Sequence, residues 1–254
     1  MDSHPFRLFS NSVLIKRLSA FVFAALSVFV FSCANTEPQI VSPEVKLVYN
    51  FEDENKTAQQ KLNVFLKMKS DVRRVETIKI KHNGTGYRWV ITNPLISQSE
   101  GYYFAGYTNL EGVSAEEGIP EGSYTITYMD AAGREDFSEF ELEKDLELKG
   151  LKVQDFLKVL KFKEPEIFVG IYSEQNNLLY YGNAKADWKI TKEYSGIAAD
   201  KIFLYKKDAA SFRVFYKLKN QIFIMPRVLK NEENSPTEEQ YAEQELKRQM
   251  DGDR

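Results

Sequence analysis

The sequence predicts a mainly β protein, in which a two-sheet β-sandwich is followed by a smaller mainly β (α+β) domain with one amphipathic helix. Short segments rich in β-branched and aromatic residues recur from Glu44 onward, separated by Gly, Asn, Pro and acidic residues. β-Branched and aromatic residues favour strands. The chain has 18 Phe and 14 Tyr, which is enough aromatic area for packed cores. Helical spacing of apolar residues replaces this pattern in residues 151–162.

The N-terminal segment has the charge and hydropathy pattern of an export signal. Lys16 and Arg17 precede an uncharged apolar run of 14 residues, 18–31. Signal peptides have apolar segments of this length, whereas a membrane-spanning helix needs about 20 residues. We therefore expect residues 1–32 to be removed, and an uncleaved membrane anchor is the alternative.

The end of this run resembles the lipobox of bacterial lipoproteins, in which an apolar residue, two further residues ending in a small one, and a cysteine follow each other. Here the match is Val30-Phe31-Ser32-Cys33, and it is similar to the relaxed lipoboxes of spirochaete lipoproteins. The resemblance implies a diacylglycerol thioether on Cys33, cleavage before it, and acylation of the new N-terminus. By analogy with enteric bacteria, Ala34 implies sorting to the outer membrane rather than the inner one.

Residues 33–43 are predicted as the lipidated N-terminus and an extended polar tether. The sandwich is predicted over residues 44–143, because apolar and charged residues alternate there, most strictly at 78–81. Asn83-Gly84 predicts a two-residue hairpin turn. The predicted strands of the sandwich are 45–51, 61–68, 75–82, 87–91, 102–107, 123–129 and 137–142.

One motif gives the sandwich a family resemblance. The segment from Gly122 to Ile126, GSYTI, resembles the tyrosine corner at the start of strand F in immunoglobulin-like domains, and the following DAAG resembles their F–G turn. Seven short strands in about 100 residues is also the number in immunoglobulin-like and fibronectin-III-like sandwiches. The resemblance implies that the Tyr124 hydroxyl bonds back to the backbone, and it makes Trp89 a candidate core residue. A different all-β arrangement is the alternative.

The second half of the chain divides into three predicted parts. Residues 144–163 are a linker and an amphipathic helix, whose stripe at 153, 156, 157 and 160 packs on its own domain or, alternatively, lies on a membrane. Residues 164–229 are a small mainly β domain, and residues 230–254 are a charged, flexible or solvated-helical tail, with capping-box spacing from Ser235 to Glu238. Strands are predicted at 167–172, 178–181, 201–205, 212–218 and 221–225.

Residues that carry catalysis or bind metals are scarce in this sequence. Its single cysteine cannot form a disulfide within the chain or a cysteine-based zinc site. His82 is the one histidine after Cys33, and we expect it in an exposed turn. Phosphate-loop, nucleophile-elbow and dinucleotide motifs are missing, and a net charge of −3 gives no general attraction for nucleic acid. We therefore expect no enzymatic activity, cofactor or metal, and rank an envelope hydrolase lowest.

Two tyrosines are candidate ligand-binding residues. Tyr103 and Tyr107 share one face of a predicted strand, and exposed aromatic residues on a sandwich bind glycans, lipids or proteins. Core packing is the alternative for them, as it is for Tyr180-Tyr181. We expect a lipid-anchored, non-catalytic binding or scaffolding protein of a bacterial cell envelope. Its partners would be the membrane, through acyl chains on Cys33, and a protein or glycan. A carrier of lipids or lipoproteins is the alternative function.

The substitution Cys33→Ser tests the anchor. Cells grown with radiolabelled palmitate should label the wild-type protein and leave the variant unlabelled, because a serine hydroxyl cannot replace the thiol that forms the thioether. The substitution Ser32→Ala keeps a small residue before the cysteine and should retain the label. A palmitate-labelled Cys33→Ser protein would show that the anchor is assigned to the wrong residue.

Overall fold

The computed structural model of the chain describes residues 37–72, 74–114, 117–144, 148, 150–194 and 196–252. Cys33 and the predicted signal peptide therefore lie outside the described residues. The described residues from Pro38 onward form one compact unit. The protein is mainly β, as the sequence predicts.

The strands of the first half are β1 (Ile40–Asn50), β2 (Gln59–Met68), β3 (Val75–His82), β4 (Arg88–Ile91), β5 (Leu95–Ser99), β6 (Tyr102–Glu111), β7 (Gly122–Asp130) and β8 (Glu135–Leu142). The elements of the second half are α1 (Val153–Leu160), β9 (Glu166–Tyr172), β10 (Leu178–Asn183), a 3₁₀-helix (Ala186–Trp188), α2 (Ala199–Tyr205), β11 (Ser211–Leu218), β12 (Gln221–Ile224), β13 (Val228–Leu229) and α3 (Glu238–Gly252).

The first eight strands form a sandwich with the strand order of an immunoglobulin-like domain. One sheet has the order β1-β2-β6-β5 and the other β4-β3-β7-β8, which correspond to strands A-B-E-D and C′-C-F-G. Alternating side chains such as Leu62, Ile80 and Ile126 are fully buried between the sheets. Trp89 lies on β4, packs partly buried against this core and donates a hydrogen bond to the Glu111 carbonyl.

The predicted tyrosine corner is confirmed. Tyr124 lies on β7, the strand that corresponds to F, and its hydroxyl donates to the carbonyl of Pro120 at 2.5 Å. Its ring is fully buried, stacks on Phe140 at 4.8 Å between centroids, and approaches His82 at the same distance. The corner therefore fixes the chain that enters β7 to the core of the sandwich.

Several local predictions differ from the structure. The turn after β3 spans residues 83–87 rather than two residues, since the Gly86 amide bonds to the His82 carbonyl. Strand β5 was not predicted, because its polar sequence LISQS is exposed along its whole length at the edge of the sheet. Residues 201–205 lie in helix α2 and not in a strand. The five-residue run KIFLY is compatible with both the helical and the strand periodicity, so its sequence alone does not distinguish a helix from a strand.

The largest difference concerns the two predicted domains, which share one sheet. Strand β1 pairs antiparallel with β2 on one side and parallel with β12 on the other, from Leu47 opposite Gln221 to Asn50 opposite Ile224. Strands β12, β11, β9 and β10 continue this sheet beyond the sandwich. Because β1 begins at Ile40, the last residues of the predicted tether also belong to the sheet.

Helices α1 and α2 lie on the inner face of this sheet, the face that also meets the second sheet of the sandwich. The Phe156 ring of α1 stacks on Phe223 at 4.5 Å and lies 5.4 Å from Phe51, so the apolar stripe of the helix packs on its own domain. Phe203 of α2 contacts Phe212 at 5.5 Å. The opposite, outer face of strands β9–β12 is not covered by any of these helices.

The tail of the chain is more ordered than a flexible terminus. Helix α3 begins with a capping box in which Thr237 Oγ1 accepts from the Gln240 amide and Gln240 Oε1 accepts from the Thr237 amide. The predicted box at Ser235 and Glu238 is therefore displaced by two residues. Arg248 Nη2 then donates to the Tyr205 carbonyl at 2.7 Å, which attaches α3 to α2.

The substitution Tyr124→Phe should lower the free energy of unfolding by about 1–3 kcal/mol, because it leaves the partly buried Pro120 carbonyl without its donor. Urea unfolding followed by circular dichroism measures the change. Tyr107→Phe is the matched control: its side chain is 41% exposed, so the same loss of a hydroxyl should change the stability by less than about 0.5 kcal/mol. Equal effects in the two variants would contradict a structural role for the corner.

Candidate binding surface

The structure places the predicted tyrosines in different environments. Tyr103 is partly buried and packs against the core, whereas Tyr107, four residues along β6, is exposed. The two side chains therefore do not present one continuous exposed surface. Cys33, the predicted lipid-attachment residue, lies outside the described residues.

Tyr180 and Tyr181 divide between the two faces of the sheet. Tyr180 lies on the inner face, where its ring meets Trp188 edge-on at 5.7 Å and Tyr205 at 5.4 Å, and its hydroxyl donates to the Asn183 carbonyl. Tyr181 points to the outer face and is 55% exposed. This alternation makes Tyr180 a packing residue and leaves Tyr181 available to a ligand.

Three aromatic rings form a cluster on the outer face, here called the aromatic face: Phe168 of β9, Tyr181 of β10 and Phe215 of β11. Phe168 and Phe215 are directly opposite in the β9–β11 register. Tyr181 stacks on Phe168 with an interplanar angle of 5° and centroids 5.7 Å apart, and it meets Phe215 edge-on at 5.5 Å. Leu178 lies on the same sheet and is 56% exposed, which extends the apolar surface at its edge.

A glycine beside the aromatic face allows a fourth ring to lie flat on the sheet. A Cβ atom on Gly170 would stand 2.8 Å from the Tyr172 hydroxyl and 3.1 Å from Cε2 of Phe215. Gly170 also pairs with Tyr181 on one side and with Arg213 on the other. The missing side chain therefore creates the space in which Tyr172 crosses the strand.

Basic side chains border these rings. Lys217 forms an ion pair with Glu166 at 3.0 Å and lies 5.9 Å from the centroid of Phe168. On the other side of the rings, Arg227 lies over the Tyr172 ring with its Cζ 5.0 Å from the centroid. Arg213 is partly buried, and its Nη1 donates to Asn50 Oδ1 at 3.2 Å. The surface thus combines exposed aromatic area with positive charge.

Burial raises the pKa of the Tyr181 phenol, the neighbouring Tyr172 raises it further, and Lys217 opposes both. At neutral pH the hydroxyl is therefore protonated and can donate a hydrogen bond to a ligand. Burial also lowers the pKa of the Arg213 guanidinium, and so does the charge of Arg227, while Tyr172 and Glu52 act in the opposite direction. The guanidinium remains charged at neutral pH, because the ordinary pKa of arginine lies far above neutrality.

The structure places His82, the one histidine after Cys33, in the interior of the sandwich. His82 is buried, with 6% of its surface exposed, and not in an exposed turn as we expected. Its ring nitrogens lie 2.8 Å from Thr85 Oγ1 and from the Glu121 carbonyl, so that it joins two turns of the sandwich. Within the described ranges, no group of three or more His, Cys, Asp or Glu side chains could hold a metal ion.

A surface cleft of about 470 Å³ lies at the junction of the sandwich and the sheet extension. Its apolar lining comes from Val45, Leu142 and Leu218, and Glu141 and Lys144 are among its charged residues. The polar backbone of the β11–β12 turn also borders it, and Lys46 Nζ donates to Asn220 Oδ1 there at 3.1 Å. Exposed aromatic rings are not part of this lining, so the aromatic face is the better candidate for a binding surface.

No protein-family model matches the chain, and a search of curated proteins finds no significant match. None of the helices in the described residues is long and apolar enough to cross a membrane.

The aromatic face is not predictable from local sequence patterns. Phe168, Tyr181 and Phe215 come from three strands whose pairing is not encoded locally, so their common exposure depends on the sheet order. The alternation in FRVFYKL does carry a signal: Phe212, Val214 and Tyr216 are buried, and Phe215 points to the other face. Phe215, an aromatic residue on the outer side of a strand whose inner side is already apolar, is the sequence signal for this face.

The substitution Gly170→Ala should lower the free energy of unfolding by about 1–3 kcal/mol, because the new methyl group overlaps with Tyr172 and Phe215. Thermal and urea unfolding measure the loss. In the Tyr172→Leu background the same change should cost less, because the shorter side chain vacates the space. Additive effects of the two substitutions would contradict the close packing of Tyr172 over Gly170.

Proposed function

We propose that this protein is a lipid-anchored, non-catalytic binding protein of a bacterial cell envelope, and that it holds a protein partner on the aromatic face. The observation that carries the binding role is the mutual packing of Phe168, Tyr181 and Phe215 on the side of the sheet opposite the helices. The anchor and the envelope location rest on the sequence pattern that ends at Cys33. Outer-membrane sorting remains the preferred location on the same basis.

The composition of this surface favours a protein partner over a glycan. Tyr, Phe and Arg are enriched in the cores of protein–protein interfaces, and all three occur here together. A sugar ring would need an open aromatic face on which to stack, and Tyr181 already stacks on Phe168. We rank a lipid carrier lower, because side chains such as Tyr128 and Ile126 fill the space between the two sheets of the sandwich.

The position of the surface also suits an anchored protein. The predicted tether enters the sheet at Ile40, and β1 then runs ten residues to Asn50, which is a distance of roughly 33 Å. Asn50 contacts Arg213 beside the aromatic face. The face therefore lies near the end of β1 that is remote from the tether, where a partner in the envelope space can approach it.

Site-specific photo-cross-linking in intact cells tests this proposal. A photoreactive residue at position 178, at the edge of the aromatic face, should give a discrete adduct with a second protein. Tyr181→Ser should reduce the adduct at least about tenfold, because a buried tyrosine anchor contributes 2 kcal/mol or more to many interfaces. Tyr181 is exposed, so circular dichroism should show an unchanged fold.

Phe137→Ser is the matched control, because Phe137 is an exposed aromatic residue, 66% accessible, on the other sheet of the sandwich. Its substitution should leave the adduct unchanged. Adducts of equal yield in the wild type and the Tyr181→Ser variant would show that the aromatic face does not hold the partner.

A further inference from the structure

Two arginines flank a single tyrosine ring beside the aromatic face. Arg227 lies over the Tyr172 ring at 5.0 Å, and the Tyr172 side chain extends across Gly170. Arg213 occupies the register position next to Gly170 on β11. Arg213 therefore lies one strand from Tyr172, and it interacts electrostatically with both Tyr172 and Arg227.

Among the described residues, no carboxylate forms an ion pair with either arginine. In the part of the chain that the structure describes, both guanidiniums bond only to neutral oxygens: Nη1 of Arg213 to Asn50 Oδ1, and Nη2 of Arg227 to Asn176 Oδ1. Glu52 attracts Arg213 electrostatically without forming an ion pair within 4.0 Å. Two like charges held close together are unfavourable unless an anion lies between or beside them.

The buried Nε atom of Arg213 gives a second, independent indication that a hydrogen-bond acceptor binds here. Its Nε is inaccessible to solvent and has no hydrogen-bond partner among the described residues. A buried donor left without an acceptor costs free energy, and more so in a charged group. A small shift of the guanidinium toward an incoming acceptor would satisfy it.

We propose that Arg213 and Arg227 form an oxyanion-binding site, which takes a phosphate or carboxylate group carried by the ligand of the aromatic face. Guanidinium groups bind such oxyanions through paired, charge-assisted hydrogen bonds. A phosphate monoester fits the charge better than a carboxylate, because it carries nearly two negative charges at neutral pH. Tyr172 holds Arg227 on this face by a cation–π contact.

This inference rests on the proposed function in one respect: both place the ligand on the outer face of the sheet. It adds the chemistry of the ligand, which must present an acidic group about two strands, roughly 10 Å, away from the apolar part that meets Tyr181. Asn50 and Asn176, which now occupy one donor of each arginine, orient the two guanidiniums without competing for them by charge.

Thermal unfolding of the full chain in an uncharged detergent tests the site, with inorganic phosphate as the probe. About 50 mM phosphate should raise the midpoint by about 3–5 °C over sodium chloride at the same ionic strength, if the dissociation constant is about 5 mM. Acetate should bind about tenfold more weakly if the site prefers a dianion. An acetate response equal to that of phosphate would assign the site to a carboxylate ligand, which the proposal includes.

Arg213→Met and Arg227→Gln should each abolish the difference between phosphate and chloride. Arg88→Gln is the matched control, since Arg88 is an exposed arginine on β4 of the other sheet. If Arg213→Met does not fold, Arg227→Gln alone decides the result. A phosphate response that persists in Arg227→Gln, or one that Arg88→Gln removes equally, overturns the oxyanion site.

The cross-linking assay separates this result from the proposed function. Adducts at position 178 that disappear in Tyr181→Ser but persist in Arg227→Gln would keep the protein-binding role and reject the oxyanion site. A phosphate response lost in Arg227→Gln, together with an adduct unaffected by Tyr181→Ser, would establish the anion site and reject the aromatic face as the interface.

Discussion

The parallel pairing of β1 with β12 is the constraint on which the rest of the structure depends. An immunoglobulin-like sandwich leaves strand A at the edge of its sheet, where unpaired backbone groups invite another strand. Here four residues of β12 fill that edge, and the register from Leu47 to Asn50 aligns the two halves of the chain. The pair makes one continuous sheet, and this sheet gives the helices a common face on which to pack.

The sheet extension is built asymmetrically. Its inner face is covered by helices that bury rings such as Phe156, Trp188 and Phe203, and this burial provides the stability of the second half. The outer face carries aromatic residues that are only partly buried, together with arginines that have no carboxylate partner among the described residues. Exposed apolar area beside two like charges does not stabilise the fold, and the binding role proposed above would account for both features.

Features that depend on residues close together in the sequence are predicted correctly, and features that depend on distant residues are not. The tyrosine corner, the strand alternation of β3 and the stripe of α1 depend on neighbours within a few residues, and the structure agrees with all three. The pairing of Leu47 with Gln221 joins residues 174 positions apart, and no local pattern encodes it. The aromatic face depends on this long-range order as well. Tyr103 and Tyr107 lie in one regular part of the β2–β6 register, opposite Met68 and Val64, yet only Tyr107 is exposed.

The double pairing of β1 also has a mechanical consequence. The hydrogen bonds to β2 and β12 run across the strand, so a pull on the chain before Ile40 acts along β1 and loads these bonds in shear. Bonds loaded in shear must break together, whereas bonds at the end of a hairpin can be unzipped one by one. A body attached to a membrane through this strand would therefore withstand force on its tether better than one attached through a peripheral hairpin.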